Sequence, residues 1–408
     1  MAQENIRRIP AVTLAGVEGT YGTAATTARI NPVSGTFEHT VTQDPIAVDA
    51  ESAELYDHQS PVLGLKRATF RFDHHLRPAD SAPLSTSTVV YPAFVSMLKA
   101  WFGGASPADS ANVGTTATAS PGTATSVNVT SDTNFTAGEW LLIQTANGLE
   151  PCRLASKAAN TLALLPGLST TPSANGVVAN LVNLYPTPGV DSCSACTIEH
   201  AKADSANEQV RLLGCIADIE FSVAQNELVR FSINGRAANW SAGALSISTA
   251  VGADTAGSPF ALASDAKLLF QDTTTTTQTH VSFEEISFKI SLGLEHVVDL
   301  GGTVQGTAGI ARVADRMFCE VTVTLREDTS TLTDWAAGTL KRVTLMIPRG
   351  SGTSRQWLVF DVPRASIEGR PTISYSSSGR MRHTVTLRSQ IDTSLSTALR
   401  KAPFILAL

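Results

Sequence analysis

The chain has 408 residues, of which 43% are hydrophobic and 16% charged, and its formal net charge is −6. This composition is typical of a folded chain and excludes a disordered acidic tail. At roughly 100–200 residues per domain, the length predicts two or three domains. Lysine and arginine form no cluster suited to gripping phosphates. Neither a membrane helix nor a secretory signal at residues 1–10 is expected, which favours synthesis in a cytosol.

The first half of the chain alternates apolar and polar residues, a pattern that predicts half-buried strands. Strands are expected at residues 37–42 and, after a long polar loop, at residues 66–76. Residues 91–102 place apolar side chains at helical spacing and predict a helix. Residues 196–234 then predict a hairpin, in which residues 214–222 are the clearest strand.

An insertion separates this helix from its hairpin. It starts with the low-complexity run GTTATASPGTAT at residues 114–125. Short apolar runs follow, and Ala-Gly, Asn-Gly and Pro-Gly turns punctuate them. The segment is expected to fold as a small β module of its own.

The second half repeats the order of elements of the first. A strand at residues 283–292, a glycine-rich loop, a strand at 317–326, a weaker helix at 331–340 and a hairpin at 357–388 follow one another. The matching order predicts a duplication. The expected class is mainly β, with two sandwich or barrel domains that each carry one short helix, and a small inserted β domain. The expected boundaries are 1–113 and 189–242 for the first domain, 114–188 for the insertion, 243–280 for an irregular linker and 281–408 for the second domain.

The cysteines indicate no metal or redox site. There are five, an odd number spread over a long chain, so a disulfide framework is not expected. Cys193 and Cys196 form a CxxC pair, but no second pair stands at the spacing of a zinc site. Reduced, buried thiols are the interpretation that we favour.

Catalytic groups are equally sparse. His74 and His75 are adjacent on a predicted strand and point to opposite faces, so a surface strand end is favoured over a metal site. Asp218 and Glu220 share one strand face, as a glycosidase pair would, and a solvated sheet face explains them better. The sequence therefore predicts no enzyme, no cofactor and no metal.

Three motifs resemble those of a known family. They are the leader EGTYGT at residues 18–23, the strand at 66–76 with a helix that ends LKAWFGG at 98–104, and LGCIAD at 213–218 leading into FSING at 231–235. The chain resembles the major tail tube proteins of long-tailed, siphovirus-like bacteriophages, in the branch with a duplicated tube domain and an inserted immunoglobulin-like or small β module. The resemblance spans most of residues 13–239, and the second copy matches by pattern.

This resemblance implies a structural virion protein whose rings stack into a hollow tail tube, the conduit for DNA ejection. Rings in the family are six-fold, so a duplicated chain is expected to close as a trimer with pseudo-hexameric symmetry, and a chain with one true tube domain as a hexamer. The implied partners are further copies of the chain, a tape-measure protein and transient DNA in the lumen, and tail terminator and distal tail proteins at the ends. A membrane is not among them. Assembly would take place in the cytoplasm of a bacterial host.

The resemblance also implies roles for particular residues. The loop at residues 44–64 would reach the adjacent ring, unless it is merely mobile, and the shorter copy-two loop at 298–312 would do the same. The terminal arms, residues 1–28 and 391–408, would staple subunits together. A weakly binding lumen is expected, with a lining that is mixed because arginines 67, 71, 230 and 382 also lie on polar strand faces. The residues concerned are Ile46, Val48, Leu55, Tyr56, Val62 and Leu63 for the inter-ring loop, Asp218 and Glu220 for the lumen, and Phe404, Ile405 and Leu406 for the C-terminal arm.

Two other classes remain open from the residues alone. A β-rich adhesin or S-layer-like surface protein shares the Thr-, Ser- and Gly-rich composition, but the expected lack of a signal peptide weighs against it. A carbohydrate-active sandwich enzyme would need aromatic platforms beside a carboxylate pair, whereas the five tryptophans are dispersed.

Overall fold

The strands predicted from alternation are present, and the chain is mainly β. A computed structural model of the chain describes residues 11–46, 62–78, 93–103, 105–106, 114–186, 193–202, 209–224, 227–245, 247, 258–262, 265–272, 278–299, 301–302, 304–326, 331–375, 381–391 and 401–408. The first copy opens with β1 (Ala11–Val17), β2 (Ala28–Ile30), β3 (Glu38–Ile46), β4 (Val62–His75) and α1 (Ala93–Phe102). The insertion contains β5 (Ala105–Ser106), β6 (Gly114–Thr123), β7 (Ser126–Val129), β8 (Trp140–Thr145), β9 (Gly148–Ala158), β10 (Thr161–Leu164), β11 (Val177–Asn180) and β12 (Asn183–Leu184).

The chain then completes the first copy and forms the second. The first copy ends with β13 (Cys196–Lys202), β14 (Gln209–Ala224), β15 (Arg230–Ala237) and β16 (Asn239–Gly243). The second copy comprises β17 (Lys267–Asp272), β18 (Gln278–Val281), β19 (Phe283–Val298), β20 (Thr307–Arg326), α2 (Thr331–Ala337), β21 (Leu340–Arg349), a short 3-10 turn (Gly352–Ser354), β22 (Gln356–Ile367), β23 (Thr372–Tyr375), β24 (Met381–Ser389) and β25 (Ile405–Ala407).

Strand pairing repeats between the two copies. In the first, β1 pairs with β2 and β13, β14 pairs with β13, β15 and β16, and β4 pairs with β3 and β15. In the second, β17 pairs with β18 and β21, β22 pairs with β21, β24 and β25, and β20 pairs with β19 and β24. Each copy is thus a two-layered sandwich in which one long strand, β14 or β22, belongs to both layers.

The segment expected to be an irregular linker contains strands. Residues 243–280 were expected to be irregular, but β17 and most of β18 lie there, and β17 pairs with β21 along its whole length. The second copy therefore begins at β17, and its first strand occupies the place that β1 has in the first copy.

One hydrophobic core spans both copies. Phe221 of β14 lies 4.9 Å, centroid to centroid, from Phe360 of β22, and Phe360 stacks on Phe288 of β19 at 4.8 Å. Phe404 packs against all three rings at 6.1–6.2 Å. These four rings are fully buried, so the copies share their interior and are not two independent units.

The insertion forms a closed six-stranded barrel in the order β10-β7-β6-β11-β8-β9, with its own core. It contacts the second copy around the fully buried Asp361. The Asp361 carboxylate accepts hydrogen bonds from Arg342 Nε (2.8 Å), Thr344 Oγ1 (3.0 Å) and the barrel's Trp140 Nε1 (3.0 Å). Burial alone would raise the pKa of Asp361, but the charge and hydrogen bonds of Arg342, together with Arg153 and Trp140, outweigh it and lower that pKa.

Strand β14 changes layers at Gly214. Its first half pairs with β13 and β16, and its second half pairs with β15. Gly214 has φ +65°, and a Cβ built there would lie 2.9 Å from the Cβ of Ala238 and 3.2 Å from the Tyr21 ring. Only glycine fits this bend without strain.

We predict that Gly214→Ala lowers the free energy of unfolding by about 1–3 kcal/mol, since alanine resists positive φ and its methyl group would contact two neighbours. Urea unfolding measures this. Gly19→Ala, at a position with ordinary φ and no atom within 4 Å of the added methyl, is the matched control and should change stability by less than about 0.5 kcal/mol. Equal effects of the two substitutions would contradict the account of the bend.

Candidate functional site: the long sheet

One layer of the two copies joins into a continuous sheet of eight strands in the order β3-β4-β15-β14-β19-β20-β24-β23. We call it the long sheet. One of its faces packs on the shared core and the other is polar. The sheet places side by side the residues that the sequence analysis singled out on separate strands.

The seam between the copies is the antiparallel pairing of β14 with β19. Ile219 lies opposite Ile290, Phe221 opposite Phe288, and Val223 opposite Ile286. All six side chains are at most 1% exposed. The core-facing side of the seam is therefore a fully buried junction between a late strand of one copy and the third strand of the next.

The two ends of the long sheet have complementary positions in the repeat. At one end, β3 pairs with β4 alone among the described strands, although its counterpart β19 also pairs with β14. At the other end, β22 and then β23 run along β24, as β14 runs along β15. The end strand β23 exposes 40% of Ile373 and 72% of Tyr375. Ile373 lies opposite the buried His383, so it belongs to the core-facing side of the sheet.

Asp218 and Glu220 lie on the polar face of the long sheet, where both are exposed. The register places Asp218 opposite Asn234, and Glu220 opposite Ser232 on one side and Lys289 on the other. The Asp218 carboxylate also accepts a hydrogen bond from the backbone of Leu292 across the seam, at 3.0 Å. These two residues have the exposure that a surface lining a channel requires.

The inter-ring loop is only partly described. Ile46 ends β3 and pairs with Val62, and Leu63 pairs with Pro45, so these positions extend a hairpin and do not belong to a loop. This corrects the bounds of the expected loop, and the contact of Ile46, Val62 and Leu63 with an adjacent ring stays a prediction. The other three residues of that prediction, Val48, Leu55 and Tyr56, lie outside the described residues. Of residues 298–312, expected to form the copy-two loop, Val298 ends β19 and residues 307–312 belong to β20, so the connection between the two strands is confined to residues 299–306.

The C-terminal arm was wrongly expected to staple neighbouring subunits. Phe404, Ile405 and Leu406 are at most 1% exposed within their own chain. Strand β25 pairs with β22 and with β12 of the insertion, and Phe404 fills the shared core. Residues 11–17 of the N-terminal arm also pair within the chain, because β1 lies along β13. The sequence shows that these apolar residues need a partner surface, and the chain itself provides one.

The leader motif at residues 18–23 forms a polar cluster at the Gly214 bend. The Glu18 carboxylate accepts hydrogen bonds from the amides of Gly22 (2.6 Å) and Gly214 (2.8 Å) and from Thr197 Oγ1 (3.1 Å). From the second copy, His296 Nε2 lies 2.8 Å from the Gly214 carbonyl, to which it donates. Sequence reasoning noted the motif but did not identify this clamp between leader, bend and second copy.

Burial raises the pKa of Glu18, although its hydrogen bonds with Gly214, Gly22 and Thr197 act in the opposite direction. Burial likewise lowers the pKa of His296. Both groups are thus favoured in their neutral forms by the same desolvated junction.

The remaining chemical candidates are structural. His74 is fully buried between Phe94 and Phe231 and its pKa is lowered to about 3, which corrects the expectation of a surface strand end. Desolvation raises the pKa of the buried thiols of Cys152, Cys196, Cys215 and Cys319, so they are poor nucleophiles. Within the described part of the chain, no three His, Cys, Asp or Glu side chains cluster as metal ligands would.

Comparison with protein-family models finds no match, and comparison with curated proteins finds none either. Among the described residues, neither helix is long and apolar enough to cross a membrane.

We predict that Glu18 makes the stability of the protein depend on pH. Its raised pKa means that the folded state holds the proton more tightly than the unfolded chain does, so its contribution is greatest below the ordinary value of 4.5 and is lost as the pH rises through the raised pKa. The unfolding free energy of the wild type minus that of Glu18→Gln should therefore fall across this window in urea titrations. The exposed Glu227→Gln should show no such fall, and a constant difference for Glu18→Gln would contradict the burial argument.

Proposed function

We propose that this chain is a structural subunit that polymerises through its long sheet into rings and then into the hollow tail tube of a bacteriophage. The observation that carries the proposal is the seam, because it joins two copies of one fold head to tail in a single sheet. The β14–β19 pairing leaves the equivalent edges, β23 and β3, at the two ends of the long sheet. A contact between unlike edges repeats from chain to chain and forms a closed ring when the rotations sum to a full turn.

The chemistry of the edges supports this use. The core-facing residues of β14 at the seam are buried by β19, whereas Ile373 and Tyr375 at the corresponding end of the second copy are exposed. Exposed apolar residues on an open strand edge promote strand pairing with another chain. A β3 strand from the next subunit would cover them as β19 covers Phe221 and Val223.

The size of the resulting barrel suits a DNA conduit. Three chains would supply about 24 strands, and at a spacing of about 4.8 Å and a tilt of about 40° the backbone ring is roughly 50 Å across. Allowing about 5 Å of side chain on each wall leaves about 40 Å. This is wider than a DNA double helix, and the polar face with Asp218 and Glu220 would line it.

Under this proposal the location is the virion. The chain's partners are other copies of itself, a tape-measure protein and passing DNA in the lumen, and terminator and distal tail proteins at the two ends of the tube.

Electron microscopy of the purified chain tests the proposal. We expect rings or tubes whose rotational averages show three chains and six-fold-like density, since each chain contributes two copies. Rings of six chains would keep the tube function and reject the second copy as a tube domain. Monodisperse monomers at high concentration would overturn the proposal and favour an adhesin-like role.

A substitution on the free edge tests the lateral contact. We predict that Ile373→Asp combined with Tyr375→Asp raises the concentration needed for ring formation tenfold or more, because charge would be buried against the neighbouring sheet. The unfolding free energy of the monomer should change by less than about 0.5 kcal/mol, since both residues are exposed. Trp335→Asp, at a 38% exposed residue on α2, is the control and should leave assembly intact. Normal rings from the edge variant would place the contact elsewhere.

A further inference from the structure

The charges on the polar face of the long sheet alternate in sign across its strands. One row of directly opposed residues crosses six strands: Asp73, Ser232, Glu220, Lys289, Glu320 and Arg388. Lys289 thus has a carboxylate opposite it on each side, and Glu320 has a cation on each side. In a neighbouring row Glu38 lies opposite Arg71. Opposed charges of unlike sign attract across a sheet, whereas like charges repel.

A second group of opposite charges depends on a β-bulge in β19. Arg326 and Arg382 lie directly opposite one another on β20 and β24 and would repel. The register of β19 shifts between Phe283 and Glu285, which inserts Glu284 as an extra residue. The Glu284 carboxylate accepts a hydrogen bond from Arg326 Nε at 2.9 Å and lies 2.8 Å from a terminal guanidinium nitrogen of Arg382. The bulge therefore aims one acid at two arginines.

Two more arginines of this face have acidic partners. Arg230 lies 3.6 Å from Asp73, which also accepts a hydrogen bond from Ser232 at 2.6 Å. Arg388 lies 3.4 Å from Glu368 in addition to its place opposite Glu320. Most of these side chains are partly exposed, and exposed ion pairs contribute little to stability. Stability of the fold therefore explains this pattern of ion pairs poorly.

We propose that the acids of this face neutralise the arginines and the lysine that lie opposite or beside them, so that duplex DNA passes along it without being held. This inference rests on the proposed tube function. Tight binding of DNA needs cations that replace the counterions of the phosphates, and a cation already beside a carboxylate gains less from doing so. The weak binding of DNA then results from the pairing of cations with Glu220, Glu284 and Glu320. It does not require a face without cations.

The test uses the full chain and a fluorescent 20-base-pair DNA duplex. We expect no binding by the wild type, and salt-sensitive binding by the triple variant Glu220→Gln, Glu284→Gln, Glu320→Gln. Lys289, Arg326 and Arg382 would each engage a phosphate, which makes the slope of log K against log salt roughly 2 to 3 units steeper. Between about 50 and about 200 mM salt this corresponds to a roughly 40-fold loss of affinity.

The control changes the net charge equally but away from the long sheet. It is the triple variant Asp132→Asn, Asp265→Asn, Asp334→Asn. Asp132 lies in the insertion, Asp265 lies beside Arg355, and Asp334 lies on α2. Equal binding by control and triple variant, or none by either, overturns the inference whether or not tubes form. As a second variant, Lys289→Gln in an otherwise wild-type chain should leave DNA binding undetectable. If the wild type did bind the duplex and Lys289→Gln abolished that binding, the inference would also be overturned. Binding by the triple variant alone, in a chain that forms no rings, supports the charge pairing and rejects the tube function.

Discussion

The packing of Phe221 and Phe288 across the seam is the contact on which the rest of the structure depends. It buries the edge of β14 that would otherwise be open and joins the interiors of the two copies through Phe360. Burying an aromatic side chain contributes about 1.5–3 kcal/mol, so the seam alone contributes several kcal/mol toward keeping the copies together. With this junction formed, the end strands of the sheet are one early strand of the first copy and one late strand of the second.

Alternation predicts strands well and pairing partners poorly. The 217–221 stretch alternates buried and exposed residues as expected, because the period of a strand is local to the sequence. Strand β17 is not predicted because its six residues carry no clear alternation and stand directly before the polar run TTTTT at residues 273–277. Phe404, Ile405 and Leu406 were recognised as needing burial, but whether the covering surface belongs to the same chain is decided by tertiary contacts.

The same limit applies to the site. The polar face could be predicted from Asp218 and Glu220, since their spacing of two puts them on one side of a strand. The residues that lie opposite those acids are on other strands, and Lys289 is 69 positions from Glu220 along the chain. Glu284 was beyond prediction for a different reason, because a bulge reverses the side that simple alternation assigns.

The two copies differ in the strand that forms the seam in the first copy and the end of the long sheet in the second. Strand β14 is continuous from Gln209 to Ala224 and has its partner within the chain. Its counterpart is divided into β22 and β23 by residues 368–371, where Gly369 has φ +71° and Pro371 lacks an amide hydrogen. A long, flat, apolar edge left open during synthesis would pair with any exposed strand, and interrupting it is a common protection. Under the proposed ring, the duplicated fold thus keeps whole the edge that its own chain covers and interrupts the edge that only a second chain would cover.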